Sequence, residues 1–284
     1  MAKTYQDLYL DGRKMLNGAD VEGAALEARE LLCHVTGKTK DELLRDGRLY
    51  AFEDIESQYH QLLERRIAGE PAAYLIGEWS FCDLTLEVNP SVLIPRIDTE
   101  VIAERVVAVG RSMPPSCRVL DLCTGSGCIG LTVAAHVDES RVVLADWSEE
   151  ALAVAHSNAR RNHLNNAVCV RVNALEEPSE MLGSFDIIVS NPPYIPTDDI
   201  AGLDCSVRDY EPHMALDGGA DGLDFYRNIT SRWKSLLRPG GMMIFEVGYN
   251  QADAVEQLMV EQGFQNIDTI ADTQNIWRSV EGWL

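Results

Sequence analysis

The apolar residues of this chain change their spacing twice, and each change marks a different kind of structure. Over roughly the first 75 residues they recur at helical intervals. Ala24, Ala28, Leu31, Leu32 and Val35 fall on one face, with Asp20 as a candidate cap and Gly37 as a stop. Thr39 and Glu42 have the separation of a capping box and introduce a short helix carrying Leu43 and Leu44. Ile55, Tyr59, Leu62, Leu63 and Ile67 form a third stripe that starts near Asp54 and is halted by Gly69 and Pro71. The pattern predicts a small helical bundle over residues 1–77, with no obvious catalytic group of its own.

The texture then alternates. In FCDLTLEV, Phe81, Leu84, Leu86 and Val88 are mixed among polar residues, and Asn89-Pro90 marks a turn before SVLIP. This predicts a β-hairpin at about 79–95, so that 78–95 links the bundle to a larger domain, 96–284. From residue 117 onward the apolar runs RVLDLC, RVVLAD, AVCVRVN, FDIIVSN and GMMIFEV alternate with helical segments. One of these, SEEALAVAHSNARRN, has Ser148 as N-cap; another, LDFYRNITSRWKSLL, aligns Tyr226, Ile229, Trp233 and Leu237. Continuous apolar strands with helical crossovers predict an α/β fold whose mostly parallel sheet is covered on both faces. The tail, GFQNIDTIADTQNIWRSVEGWL, has no helix between its strand-like pieces and reads as a terminal hairpin.

Composition narrows the function classes. The 284 residues are 46% hydrophobic and 24% charged, enough to bury a sizeable core. A net charge of -21 repels phosphate, so sequence-specific nucleic-acid binding is not expected, and a basic protein partner suits the surface better. The seven cysteines form no C-x-x-C pair, which argues against a zinc site or disulfide scaffold and for a reducing, cytoplasmic location. The N-terminus lacks the apolar core of a signal peptide, and no run approaches about 18 apolar residues, so no membrane association is expected.

Two motifs carry candidate chemistry. The run VLDL leads directly into CTGSGCIG, where Gly125 and Gly127 let backbone amides approach a ligand at a strand-to-helix turn. Roughly 20 residues on, the next strand ends in Asp146, where a carboxylate can bind ribose hydroxyls or simply close the strand. No Lys follows the loop and the third glycine of a dinucleotide fingerprint is missing, a form that suits S-adenosylmethionine, which has no pyrophosphate. Asn173, after the third strand, is placed either to bond an adenine edge or to make an ordinary turn.

The second motif is Asn191-Pro192-Pro193-Tyr194, after FDIIVS. Two successive prolines hold the backbone rigid with carbonyls free, at the carboxyl end of a central strand. An amide nitrogen is a poor nucleophile because its lone pair is delocalised. Were both its N–H bonds held by fixed oxygens, the Asn191 side chain and the Pro192 carbonyl, the lone pair would be aimed at a methyl donor. Tyr194 is positioned to stack on the planar group. The alternative is a Pro-Pro loop with a surface tyrosine.

NPPY after such a glycine loop resembles the amino-methyltransferases of adenine N6, cytosine N4 and glutamine N5. PAAYLIGEWSF (71–81), LIPRIDTE (93–100), NPPYIP (191–196), EPHMALDGGADGLDFYR (211–227) and FEVGYNQ (245–251) together resemble the HemK/PrmC family. The resemblance implies a Rossmann-like class I methyltransferase domain, with a seven-stranded, mostly parallel sheet ending in a hairpin, behind a helical N-terminal substrate-recognition domain. It implies methyl transfer from S-adenosylmethionine, without a metal, to the glutamine of the Gly-Gly-Gln motif in class 1 peptide chain release factors, leaving S-adenosylhomocysteine. Carried across, the cofactor loop falls on Cys123, Thr124, Gly125, Ser126 and Gly127, the ribose carboxylate on Asp146, and the shared substrate and cofactor contact on Asn191. The substrate segment is Asn191, Pro192, Pro193 and Tyr194. Cys123 stands where the family usually has glycine, and Asn173-Ala174 replaces an acidic residue and a larger one. Arg96, Thr99 and Glu100 resemble a family segment near the active site, the alternative being an Arg96–Glu100 ion pair that orders the linker, and for Glu211 and Glu246 a structural role is the alternative likewise. Competing readings are a ribosomal-protein glutamine methyltransferase, a nucleic-acid adenine-N6 methyltransferase and a non-catalytic binding module.

Overall fold

The computed structural model describes residues 2–272 and 275–284, which divide into two compact units. The first comprises 1–77 and 204–210. Its helices are α1 (Tyr5–Gly18), α2 (Ala24–Thr36), α3 (Lys40–Asp46), α4 (Glu53–Ile67) and α5 (Ala72–Ile76), with α9 (Cys205–Arg208) returning from later in the chain. The α3 capping box forms as its spacing requires: the Thr39 hydroxyl accepts from the Glu42 amide at 3.2 Å, and the Glu42 carboxylate accepts from the Thr39 amide at 2.9 Å. A second capping box, Thr4 with Asp7, starts α1. The α2 cap is Gly23, and Asp20, the expected cap, lies exposed in the preceding turn at φ 54. Leu8, Leu16, Leu31, Leu32, Tyr59 and Leu63 form the unit's core. Gly12 of α1 lies so close to Tyr59 that a Cβ would sit 2.0 Å from the phenol oxygen, which donates to the Ala28 carbonyl at 2.9 Å.

The second unit, 78–203 and 211–284, begins with the antiparallel pair β1 (Glu78–Phe81) and β2 (Leu84–Glu87). This corrects the expected hairpin: the chain turns at Cys82-Asp83, with Cys82 at φ 50, and SVLIP is not a strand. The alternation changes phase there, with Phe81 and Leu84 three positions apart, while Asn89-Pro90 carries the more usual turn residues. Next come α6 (Ile97–Ser112), β3 (Arg118–Leu122), α7 (Cys128–His136), β4 (Arg141–Asp146), α8 (Glu149–Arg161), β5 (Ala167–Arg171), β6 (Phe185–Ser190), α10 (Asp224–Arg232), β7 (Leu237–Glu246), α11 (Ala252–Glu261), β8 (Gln265–Ala271) and β9 (Trp277–Trp283).

The sheet order is β5-β4-β3-β6-β7-β9-β8; β3 to β7 run parallel, and β9 is antiparallel to both its neighbours. The expected terminal hairpin is therefore present, although Thr273 and Gln274 in its connection lie outside the described residues. Successive strand residues serve opposite cores, as a pleated strand covered on both faces demands. Val119, Val142 and Ile187 pack with Ile102 and Val106 of α6 and Val133 of α7. Leu120, Val143 and Ile188 pack with Tyr226 and Ile229 of α10, Trp233, and Val255 of α11. Strand order reverses between β3 and β6, which opens a crevice at their carboxyl ends. No helix among the described residues is long and apolar enough to cross a membrane.

Candidate active site

The glycine loop leaves β3 at this crevice. Its turn uses three left-handed residues, Cys123 at φ 63, Gly125 at φ 54 and Gly127 at φ 85. Cys123 thus holds a conformation that favours glycine, at a cost of about 1–2 kcal/mol. Asp121, fully buried inside β3, ties the loop to the start of α7. Its Oδ2 accepts from the Thr124 hydroxyl at 2.6 Å and from the Gly130 amide at 2.8 Å. Burial pushes its pKa up to about 7 against these two bonds, with nearby Asp146 adding to the rise. Asn158 of α8, wholly buried, donates to the Ser126 carbonyl at 2.9 Å and braces the loop from behind.

Asp146, half-buried at the end of β4, holds the loop from the other side. One carboxylate oxygen accepts from the Gly125 amide at 2.9 Å and the other from the Ser148 amide at 3.0 Å, where Ser148 caps α8. Desolvation raises its pKa against the lowering effect of those amides.

A cavity of about 610 Å³ opens above these elements. Cys123, Thr124, Gly125, Ser126, Asp146, Asn173, Asn191 and Pro193 all line it, so most of the expected site residues converge. Gly127, Pro192 and Tyr194 are not in its lining. Gly127 starts α7, Pro192 is buried, and Tyr194 packs against the core beside α10 and α11. Asn173 spends its side chain locally: Oδ1 accepts from the Leu175 amide at 3.0 Å, and Nδ2 donates to Glu176 at 3.0 Å.

Asn191 to Tyr194 follow β6 and are clamped by the segment 216–222. Ile195 donates to the Leu216 carbonyl at 2.9 Å, and Gly218 donates to the Ile195 carbonyl at 2.9 Å. Glycine is required at both ends of the clamp. A Cβ on Gly218 would lie 2.7 Å from Tyr194 Cα, and one on Gly222, at φ +73, would lie 2.3 Å from the Tyr194 carbonyl oxygen. That carbonyl also accepts from Gln251 at 2.9 Å. The sequence reading missed Gly218, Gly222, Gln251 and Asn158; the DGGADG run was the available signal for the glycines.

Arg96 pairs with Glu211 at 2.5 Å and not with Glu100, whose carboxylate accepts from the Cys82 amide at 2.7 Å. The Arg96–Glu100 ion pair weighed from sequence is therefore absent. Arg96 also lines the cavity, while Glu211 is buried behind it, and desolvation outweighs Arg96 in raising the Glu211 pKa. Among the described residues, no cluster of three or more His, Cys, Asp or Glu could hold a metal ion.

Comparison with known proteins identifies the relatives of the chain. Two family models match, "PrmC N-terminal domain" over residues 7–77 and "Methyltransferase small domain" over 98–201. A release factor glutamine methyltransferase of Geobacter sulfurreducens is 44% identical over 223 residues, covering 78% of this chain and 76% of the relative. One from Clostridium acetobutylicum is 36% identical over 276 residues, covering 97% and 96%. The crystal structure of a methyltransferase from Pyrococcus furiosus shares the fold, with a TM-score of 0.51 at 19% identity over 70% of this chain and 88% of the other. A glycine loop tied to Asp146, a clamped NPPY segment and relatives aligned over 78% and 97% of the chain lead to one conclusion: the chain belongs to the release factor glutamine methyltransferase family.

Proposed function

We propose that this chain methylates the side-chain amide nitrogen of the glutamine in the Gly-Gly-Gln motif of class 1 peptide chain release factors, using S-adenosylmethionine. Family membership supports the reaction class and the release factor as substrate. The observation that carries the site assignment is the clamped Asn191–Tyr194 segment at the cavity edge, beside the glycine loop.

The residues present fit the cofactor. A cavity of about 610 Å³ is of ordinary size for a cofactor site. Gly125 has open space on its side-chain face, and the Asp146 carboxylate keeps acceptor capacity beyond the Gly125, Ser148 and Trp147 amides. Thr124 to Gly127 would hold the amino-acid end, Asp146 the ribose, and the wall from Val172 to Leu175 the adenine. Because the Asn173 side chain is engaged locally, its adenine contact would be made through the backbone. When bound, S-adenosylmethionine supplies a sulfonium-activated methyl whose C–S bond breaks as the N–C bond forms, leaving neutral S-adenosylhomocysteine.

Asn191 Oδ1 and the Pro192 carbonyl accept the two N–H bonds of the glutamine amide, which lets its nitrogen pyramidalise toward the methyl carbon. Pro193 walls the cavity, and Tyr194, outside its lining, anchors the segment through the core beside α10 and α11. The methylated nitrogen is a strong acid until it loses a proton to water, so no dedicated base is needed. Catalysis is positioning and fixed electrostatics. The helical N-terminal unit is assigned to recognition of the release factor, whose docking would be favoured by the acidic surface if the docking face is basic.

The test is incubation with a purified release factor and methyl-labelled S-adenosylmethionine. Label should appear on the Gly-Gly-Gln peptide and be lost in its Gln→Ala variant. Label on a ribosomal protein or on unmethylated DNA instead would replace this reading with one of the competing ones.

A further inference from the structure

Glu246 ends β7, the strand beside the one that delivers Asn191. The parallel register pairs Phe245 with Ser190, so Glu246 and Asn191 leave the sheet side by side. Glu246 is only 4% exposed and does not line the cavity, whereas Asn191 and Thr99 both do. Burial pushes its pKa up to about 7, and its neighbours Thr99, Arg278 and Asn191 oppose that rise. Its Oε2 has no hydrogen-bond partner among the described residues. The titratable and charged groups facing it come from every side: Asp98 on α6, Arg278 on β9, Tyr194 after β6, Tyr226 on α10 and Cys128 on α7. Arg278 also serves Asp98 and Asp272, each at 2.8 Å.

A buried carboxylate is costly, and an apolar residue would fill this place without the cost. What a carboxylate adds is direction. Once ionised it only accepts, whereas the two ends of an asparagine amide have nearly the same shape and opposite hydrogen-bonding sense. Only one orientation of Asn191 offers oxygen to an incoming NH₂ group; the other offers two N–H bonds to two N–H bonds.

We propose that Glu246 is the positioning residue for Asn191: by accepting from its Nδ2, the buried carboxylate turns Oδ1 into the cavity, where the nitrogen to be methylated must place a hydrogen. This rests on the role given to Asn191 above and deepens it.

Glu246→Gln keeps the shape and removes the one-way acceptor. A glutamine can donate to Oδ1, so Asn191 is free to turn, and kcat should fall about 10²-fold with the KM for S-adenosylmethionine unchanged. Asn191→Asp supplies the discriminating background, because two equivalent oxygens leave nothing to orient while two adjacent carboxylates repel. There E246Q should act in the opposite direction, and the N191D/E246Q double variant should turn over faster than N191D. A residue that merely fills space would slow both backgrounds alike. E246Q slowing both, or E246Q at wild-type kcat, overturns the proposal; N191A at wild-type kcat overturns the site reading instead. Calorimetric binding of S-adenosylhomocysteine reports folding. Should E246Q fail to bind, E246D takes its place: lowered kcat at unchanged KM supports the proposal, and wild-type kcat overturns it.

Discussion

Replacing Asp146 by asparagine separates two jobs that one carboxylate performs. Its oxygens accept from the Gly125 amide at 2.9 Å and the Ser148 amide at 3.0 Å, and the spare lone pairs are assigned to the ribose hydroxyls. An asparagine has one oxygen, so one of the two backbone amides must face an NH₂ group. A hydrogen bond to a charged acceptor contributes about 1.5–3 kcal/mol, which is the expected loss of stability. For a domain of this size each kcal/mol moves the melting midpoint by roughly 2–4 °C, so a drop of about 3–12 °C is predicted by differential scanning. The ribose contact falls in the same energy range, and about 1.4 kcal/mol is tenfold in affinity, so the Kd for S-adenosylhomocysteine should rise about 10- to 150-fold by titration calorimetry. Turnover at saturating cofactor should stay near wild type, since Asp146 is remote from the transferring group in this account. A lower melting midpoint with unchanged Kd would leave Asp146 as a loop tie and refute the ribose assignment. An unchanged midpoint would refute the loop tie as well.

Two further perturbations probe the scaffold. Gly222→Ala drives a Cβ to 2.3 Å from the Tyr194 carbonyl oxygen and forces alanine to φ +73, so the NPPY clamp should shift. Its kcat should fall about 10²-fold with little change in cofactor affinity, and wild-type turnover would contradict the clamp. Asp121 has a folded-state pKa of about 7 against an ordinary value of 3.8. Between those values the folded protein keeps a proton that the unfolded chain has released, so raising pH through this window removes stability. Melting midpoints should therefore fall from pH 5 to pH 8, and Asp121→Asn should flatten the slope, leaving the part contributed by Glu246, whose pKa is displaced in the same direction. An unaltered slope in the variant would show that Asp121 is ionised throughout.

What was legible in the sequence was local or contiguous. The buried parallel strands announced themselves as unbroken apolar runs, and Thr39 with Glu42 and Ser148 behaved as their spacing required. Tyr226, Ile229, Trp233 and Leu237 are all buried, but the helix stops at Arg232 and Leu237 opens β7, which corrects the single helix expected there. The glycine loop and NPPY are short continuous segments, so their chemistry could be read before any fold was known. Helix α1 is marked at its start only by the short Thr4–Asp7 capping box, a weaker signal than the apolar stripes of the helices that follow. The first hairpin was misplaced because Cys82 turns the chain in a left-handed conformation that cysteine rarely adopts, while Asn89-Pro90 carries the usual turn residues. The site's supports were hidden for a different reason. Arg96 meets Glu211 across 115 positions, Asn158 reaches Ser126 across 32, and Gln251 reaches Tyr194 across 57. Such pairings exist only once the sheet order brings the strand ends together, and no periodicity encodes them.

The most direct measurement is the single-turnover rate of Asn191→Ala on a release factor at saturating S-adenosylmethionine, with cofactor affinity measured on the same sample. If the side-chain oxygen of residue 191 holds one hydrogen of the accepting nitrogen, the rate should fall about 10²–10³-fold while the cofactor still binds measurably. A variant that transfers methyl at the wild-type rate would contradict the account.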